Sequence, residues 1–169
     1  MMEFTGPLSV WLIHHGPLAL FGAITLGVFA IPVPVEPLLL MAGFLTFKGK
    51  LSLLPVLFSS IGGAVCGITL SYVLGRTMGH FLVERYGEKI GLSRKNLARV
   101  HSWFERMGRW TLFLGFYVPG MRHMTGFVAG MVRLQLIHFM RFGYGGGVVW
   151  SVAFLALGYF FGPALYWLM

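Results

Sequence analysis

The chain has 169 residues, of which 57% are hydrophobic and only 11% are charged. Soluble domains carry about 25% charged residues, so this composition excludes an ordinary soluble protein and indicates an integral membrane protein. Thirteen Lys and Arg residues stand against five Glu and no Asp, which makes the chain strongly basic. Its length fits a single membrane domain, 1–169, without a separate soluble domain.

The cysteine and histidine residues give no sign of a metal site. The lone Cys66 lies inside an apolar segment, so the sequence offers no disulfide framework and no thiolate cluster. The six histidines are scattered and have no Cys or Asp neighbours, which argues against metal binding. We therefore expect the protein to work without a metal or another cofactor.

The first apolar block, 17–47, is longer than one spanning helix of about 20 residues but too short for two. Its middle reads IPVPVEPLLLMAG and places Glu36 among prolines that include Pro32 and Pro34. Proline removes a backbone donor and keeps the preceding residue out of the α region, so non-helical backbone is expected at 31–36. Such backbone survives at membrane depth only when it is buried in protein or lines a wet cavity. The pattern predicts a re-entrant helical hairpin with its tip at 31–36; a single proline-kinked helix is the alternative.

The next block, 51–75, is uncharged and fits one tilted spanning helix. The segment that follows it, 76–109, contains eight of the thirteen basic residues. A cluster of Lys and Arg between apolar blocks is typical of a cytoplasmic loop that faces anionic lipid headgroups. No nucleic-acid-binding motif accompanies the charge, so we expect membrane lipids, and not nucleic acid, to be the partner of this segment.

Apolar residues recur in the basic segment at steps of three and four residues, which is the spacing of an amphipathic helix. Ser93 is a suitable N-cap for this helix. The apolar positions are Leu97, Val100, Trp103, Phe104 and Met107. We expect the helix to lie on the cytoplasmic surface of the bilayer and to link the two halves of the chain.

The second interrupted block, 110–132, repeats the pattern of the first block and is followed by a spanning segment, 135–169. Its middle reads VPGMRHMTGFVAG. An ungapped offset of 87 residues aligns three identical pairs in the blocks: Pro32 with Pro119, Ala42 with Ala129 and Gly43 with Gly130. Interrupted segments in corresponding positions of two halves are a feature of transporters built from repeats. The prediction is an all-α integral membrane protein with an inverted repeat of two re-entrant helical hairpins, each followed by a spanning helix, and with Pro32, Pro34 and Pro119 at the hairpin tips.

Glu36 and Arg122 are the only charges well inside the two interrupted blocks. An ionisable side chain at the bilayer centre costs at least about 2.5–3.5 kcal/mol and usually marks a functional site. One interpretation is an ion pair that only pins the two hairpins together. The other is that Arg122 binds an anion, while Glu36 takes up a proton when that anion displaces it. His123, next to Arg122, either packs in the interior or helps to relay protons or contact a phosphate.

Four motifs that follow one another along the chain resemble the DedA family, also called the SNARE-associated or VTT-domain family. They are PxPxE…AG at Pro32–Gly43, GxxxxYxxGRxxG at Gly67–Gly79, PGxRHxxGFxAG at Pro119–Gly130 and FxxxxxxGxxxW at Phe139–Trp150. The resemblance implies two re-entrant hairpins that face each other, and a role in moving lipids across the bilayer. Bacterial members of the family return undecaprenyl phosphate to the cytoplasmic leaflet, and several depend on the proton gradient.

Three positions depart from the family pattern. Many relatives have an arginine where this chain has Phe116 and an asparagine where it has Gly143. Many also have an Asp in the first half, either after the AG of the first hairpin or where this chain has Ile68. The site of two arginines and two acids in those relatives is therefore not carried over to this chain. Glu36 and Arg122 are then the two residues that supply charge to the predicted site.

Two further positions are candidates for binding a phosphate. Backbone donors around Gly120 would assist Arg122 at the tip of the second hairpin. Arg76 lies in the GR of the second motif, where it is either a snorkelling anchor or a phosphate contact at the cytoplasmic mouth.

The resemblance implies a multi-pass protein of the bacterial cytoplasmic membrane that moves undecaprenyl phosphate with the help of protons. Its partners would be membrane lipids, the polyprenyl-phosphate headgroup and protons, and homo-oligomerisation is left open. The alternatives are a proton-coupled carrier of another anion or phospholipid, and a membrane assembly factor that transports nothing. An enzyme is not expected, because the chain has neither clustered carboxylates for a magnesium site nor a nucleophile motif beside a base.

Overall fold

The computed structural model describes residues 7–29, 34–86, 98, 102, 104, 106–108, 110–118 and 121–168. Regular structure within these residues is helical and includes no strand. The α-helices are α1 (Pro7–Phe29), α2 (Val35–Phe47), α3 (Leu53–Tyr86), α4 (Trp110–Leu114), α5 (Arg122–Met131), α6 (Leu136–Phe139) and α7 (Gly145–Leu168). A 3₁₀ turn (Gly115–Tyr117) follows α4, and a π turn (Met140–Tyr144) joins α6 to α7. The prediction of an all-α protein is confirmed.

Two of the described helical stretches are long and apolar enough to cross a membrane, Leu53–Gly79 and Leu136–Phe161. Large apolar side chains stand exposed on both of them: Phe58 is 69% exposed and Phe160 is 71% exposed. Exposed apolar surface of this kind marks contact with a partner or with lipid. On a spanning helix, the acyl chains of the bilayer would cover it.

α1 is interrupted at Gly16, whose φ of 60° and ψ of −154° lie outside the helical region. Glycine reaches this conformation easily because it has no Cβ to clash with the backbone. Pro17 follows the break, and its ring suits the first turn of the helix that continues to Phe29. The break falls where the sequence places the start of the first interrupted block.

α2 begins two residues earlier than the sequence predicts. The prolines predict non-helical backbone over 31–36, yet Val35 and Glu36 belong to the first turn of α2, with Pro34 as the N-cap. Pro37 permits this, because a proline in the first helical turn removes only a backbone donor that has no acceptor within the helix.

α3 is longer than the predicted span 51–75. It runs from Leu53 to Tyr86, which is about 51 Å at a rise of 1.5 Å per residue. No proline occurs between Arg76 and Tyr86 to stop the helix, so Arg76 lies inside α3 and not at its end. Much of the predicted linker helix lies outside the described residues, including Ser93, Leu97, Val100 and Trp103.

We call α1 and α4 the first arms, and α2 and α5 the second arms, of the two interrupted segments. Glycines bring the second arms into backbone contact with the long helices α7 and α3. A Cβ on Gly43 of α2 would overlap the backbone of α7 beside Gly158, and a Cβ on Gly158 would overlap the backbone of α2. Gly130 of α5 and Gly75 of α3 meet in the same reciprocal way. Small residues at such crossings allow membrane helices to pack closely.

The first arms, α1 and α4, pack differently from the second arms. Gly63 of α3 lies against the backbone of α1, and Gly146 of α7 lies against the backbone of α4. Each first arm thus contacts the long helix that follows it in its own half of the chain, whereas each second arm contacts the long helix of the other half. An offset of 83 residues relates Gly63 to Gly146 and also Gly75 to Gly158.

Gly130→Ala should destabilise the protein, because the added methyl group would overlap the backbone of α3 at Tyr72 and Arg76. Overpacking of this kind costs about 1–3 kcal/mol. Gly145→Ala is a matched control, since nothing lies within 4 Å of its Cβ position and its backbone is already helical. It should be neutral or slightly stabilising through helix propensity. Thermal unfolding in detergent measures both variants, and equal melting temperatures would contradict the importance of this crossing.

Candidate ion-pair site between the interrupted segments

Glu36 and Arg122 form an ion pair that joins the two interrupted segments. Arg122 Nη1 donates a hydrogen bond of 2.5 Å to Glu36 Oε1. The side chain of Arg122 is 6% exposed and that of Glu36 is 25% exposed. Among the buried residues that the structure describes, Arg122 is the only charged one. The fold thus brings together the two charges that the sequence singles out.

Both members of the pair stand at the N-terminus of a helix, where aligned backbone dipoles create a partial positive charge. Glu36 lies in the first turn of α2, which is a favourable place for a carboxylate. Arg122 is the first residue of α5, where a cation is disfavoured and the Glu36 carboxylate compensates. The ion pair thus places a carboxylate and a guanidinium at the N-termini of two different helices.

Two buried aromatic rings support the arginine. The Arg122 Cζ atom lies 5.4 Å from the ring centroid of Trp150 in α7, which is a cation–π distance. The Trp150 ring lies 6.0 Å from that of Phe116, and both side chains are almost fully buried. Phe116 fills the position where many DedA relatives have an arginine, so here an aromatic contact replaces a second guanidinium. The sequence analysis did not assign Trp150 to the site, although it ends the last of the four motifs.

The other two departures from the family pattern are also apolar contacts. Ile68 is fully buried in α3, and its side chain lies against Gly126 of α5 and against Gly143. The positions of an acid and an amide in many relatives are therefore packed together here without a polar group. This leaves Glu36 and Arg122 as the charged groups of the site among the described residues.

Arg76 does not join the ion pair. Gly126 of α5 meets α3 at Ile68, and Gly130 meets it at Tyr72 and Arg76, so the two helices run in the same direction. Arg76 lies beside the C-terminal end of α5, whereas Arg122 is at the N-terminal end. Its Nη1 atom donates a hydrogen bond of 2.7 Å to the Tyr72 hydroxyl.

The remaining predicted site residues are described only in part. Pro34 is exposed at the start of α2. Pro32, Pro119, Gly120 and the side chain of His123 lie outside the described part of the structure. Within the described part, no group of three or more His, Cys, Asp or Glu side chains could hold a metal ion.

Residues 33–160 match the VTT domain, a range that covers most of the chain and contains both members of the ion pair. This chain belongs to the VTT-domain family. The DedA resemblance of the four motifs is thereby confirmed, and the family includes the bacterial protein DedA itself.

Several VTT-domain proteins of known sequence are similar to the chain over most of their length. The uncharacterized membrane protein YbfM of Bacillus subtilis strain 168 is 31% identical over 144 residues, which cover 85% of this chain and 89% of YbfM. Protein DedA of Escherichia coli strain K12 is 30% identical over 165 residues, covering 96% of this chain and 74% of DedA. Undecaprenyl phosphate transporter A of Staphylococcus aureus strain NCTC 8325 / PS 47 is 26% identical over 155 residues, covering 89% of this chain and 76% of that protein. No solved structure matches the chain.

Two of these relatives are named as a membrane protein and as a transporter, which agrees with the two candidate spans described here. The chain is a membrane protein of a family with transporters among its members. The identity to the named transporter is low, so the transported substrate has to be argued from the site.

Proposed function

We propose that this protein translocates a polyprenyl phosphate, with undecaprenyl phosphate as the preferred substrate, across the bacterial cytoplasmic membrane. The observation that carries the proposal is the pairing of Glu36 with the buried Arg122 at two helix N-termini. The name of the Staphylococcus aureus relative, undecaprenyl phosphate transporter A, supports the choice of lipid.

The phosphate would take the place of the Glu36 carboxylate on Arg122. A guanidinium presents its donors as a planar fork that can bind two phosphate oxygens at once, which makes arginine well suited to this anion. Glu36 is a quarter exposed, so it can be approached from outside the core, whereas Arg122 is held from behind by Trp150. The long isoprenoid tail would remain in the bilayer, and only the headgroup would enter the site.

Proton uptake by Glu36 would accompany this exchange. A carboxylate that has lost its arginine stands next to a negatively charged phosphate in a region of low dielectric constant. The phosphate would repel this carboxylate, and uptake of a proton would remove the repulsion. When Glu36 releases the proton it competes again for Arg122 and displaces the phosphate. Translocation would therefore be linked to protons.

We further propose that the two interrupted segments are re-entrant hairpins of an inverted repeat. Glu36 and Arg122 stand at corresponding places, in the first turns of α2 and α5. The reciprocal contacts of Gly43 with α7 and of Gly130 with α3 support the same correspondence. With the basic segment in the cytoplasm, the first hairpin would dip from the outer face and the second from the cytoplasmic face.

Single cysteines in a Cys66→Ala background test this topology. His15→Cys and Lys50→Cys should both react with an impermeant maleimide from the outer face, because a hairpin returns to the side on which it began. Val132→Cys, at the end of the second interrupted block, should react only from the cytoplasmic face. All three positions are exposed. Labelling of positions 15 and 50 from opposite faces would make the first block a kinked span and would contradict the paired hairpins.

Leaflet accessibility tests the function directly. Vesicles with and without the purified protein are loaded with a fluorescent polyprenyl phosphate, and an impermeant reductant bleaches the analogue that reaches the outer leaflet. The protein should make the inner-leaflet pool accessible within the time of the experiment. A proton gradient across the vesicle membrane should speed up bleaching in one orientation and slow it in the other. Equal bleaching of both vesicle preparations would reject translocation and favour a membrane assembly factor.

A further inference from the structure

A second basic site lies at the C-terminal end of α5, at the opposite end of this helix from Arg122. A cavity of about 300 Å³ is lined there by Arg76 of α3 and by Arg133 in the turn after α5. The other residues of its lining are neutral: Gly75, Thr77, Met78, Gly79, Phe81 and Met131. Two arginines at one cavity repel each other, and an anion bound between them would relieve this repulsion. A volume of this size is at the lower end of the range for small-molecule sites.

The first guanidinium is held in place by an aromatic side chain. Arg76 Nη1 donates to the Tyr72 hydroxyl at 2.7 Å, and Arg76 Cζ lies 5.9 Å from the Tyr72 ring centroid. The Tyr72 hydroxyl in turn donates to the Leu134 carbonyl at 2.7 Å, and its ring stacks on Phe139 at 4.2 Å. Arg76 is exposed, but its guanidinium is oriented by the buried Tyr72.

The second guanidinium stands at a backbone position that favours glycine. Arg133 has a φ of 50° and is the one described residue other than glycine with a positive φ. Its N–H donates to Gly130 at 2.9 Å, and the N–H of Leu134 donates to Ala129 at 3.0 Å, which together close a Schellman turn after α5. An arginine at this position gives up backbone stability that glycine would provide, so its side chain needs another reason to be there.

The distance between the two basic sites matches half of a membrane. α5 has ten residues and is about 15 Å long, with Arg122 at its start and Arg133 just beyond its end. The hydrocarbon core of a bilayer is about 30 Å thick, so a group at the midplane beside Arg122 is about 15 Å from the headgroups. The cavity would lie at headgroup level, on the side of the basic segment that continues from α3. Met78 and Phe81, both about half exposed, would adjoin the lipid chain.

We propose that Arg76 and Arg133 form a second phosphate-binding site, which takes the headgroup of a lipid phosphomonoester at the cytoplasmic surface after it has left Arg122. The identity of the lipid rests on the proposed function, but the binding of a phosphate at this cavity does not. The headgroup would then move along α5, from Arg122 at the N-terminal end to Arg76 and Arg133 at the C-terminal end.

Binding of radiolabelled undecaprenyl phosphate to the full-length protein in phosphatidylcholine nanodiscs tests this site. The measurement is made in the Glu36→Gln/Arg122→Gln variant, which neutralises the first site and keeps the shapes of both side chains. This variant should still bind one saturable equivalent. Adding Arg133→Gly should weaken that binding about tenfold or more. The same change should raise the melting temperature, because glycine relieves the positive φ. The second variant, Arg76→Gln, should also weaken binding about tenfold.

Arg141→Gln is the control for the loss of one positive charge. Arg141 is exposed and lines a different cavity, together with Trp110 and His138, so its replacement should change the affinity less than about twofold. Competition by inorganic phosphate should displace the lipid, and phosphatidylglycerol should not. Absence of saturable binding, equal weakening by Arg133→Gly and Arg141→Gln, or equal competition by phosphatidylglycerol would each overturn the proposal. If the wild-type protein binds lipid through Arg133 but fails the leaflet assay, the proposed function falls and the second site stands.

Discussion

Arg122→Ala should reduce protein-dependent translocation of the fluorescent polyprenyl phosphate by at least about 100-fold, to the level of protein-free vesicles. The variant removes the one buried cation that the structure describes, and with it the partner that the phosphate would exchange with Glu36. The protein should still insert into the membrane, because Glu36 is a quarter exposed and can be neutralised by a proton once its partner is gone.

Two further variants make this result specific. Arg122→Lys keeps the charge but loses the planar fork, so it should recover only a small part of the rate. Arg141→Ala removes one exposed positive charge at another place and should keep nearly the full rate. Wild-type translocation by Arg122→Ala would show that the ion pair only pins the two interrupted segments together.

Glu36→Gln should separate substrate binding from turnover. The amide keeps the shape of the carboxyl group but can neither compete as an anion for Arg122 nor accept a proton. The phosphate should bind more tightly, which lowers the apparent KM, while its release slows and the turnover falls about tenfold. Above all, the rate should lose its dependence on pH.

The pH profile of the translocation rate, measured with equal pH on both sides of the vesicle, checks this expectation. Glu36→Asp serves as the control, because it retains a titratable group and should retain a pH dependence. An unchanged wild-type profile in Glu36→Gln would limit Glu36 to a structural role. His123 would then be the next residue to examine as the titrating group.

The sequence predicts the membrane class, the helical fold and the two charges of the site, because each depends on strong local signals. Charge is scarce in the chain, so Glu36 and Arg122 stand out, and prolines mark the interruptions. The start of α2 is less predictable: the same prolines that break a helix in its interior are tolerated in its first turn.

The parts of the site that depend on tertiary packing could not be read from the sequence. Trp150 contacts Arg122 across the fold, but in the sequence it is one aromatic residue in an apolar span. The extension of α3 to Tyr86 brings Arg76 into a helix, where the sequence places a boundary. The positive φ of Arg133 follows from the turn that ends α5. Glycine is the usual sequence signal for such an angle, and this turn has an arginine there.

The exchanged packing of the second arms decides which parts of the molecule can move together. In any motion that keeps these contacts, α5 would move with α3 and α2 with α7, so each pair combines elements from both halves of the chain. Glu36 and Arg122 belong to different pairs of helices, and their ion pair links the two pairs to each other. A phosphate that binds Arg122 would therefore do more than occupy the site. It would also break the ion pair that joins the two pairs of helices, and so would leave them freer to move apart.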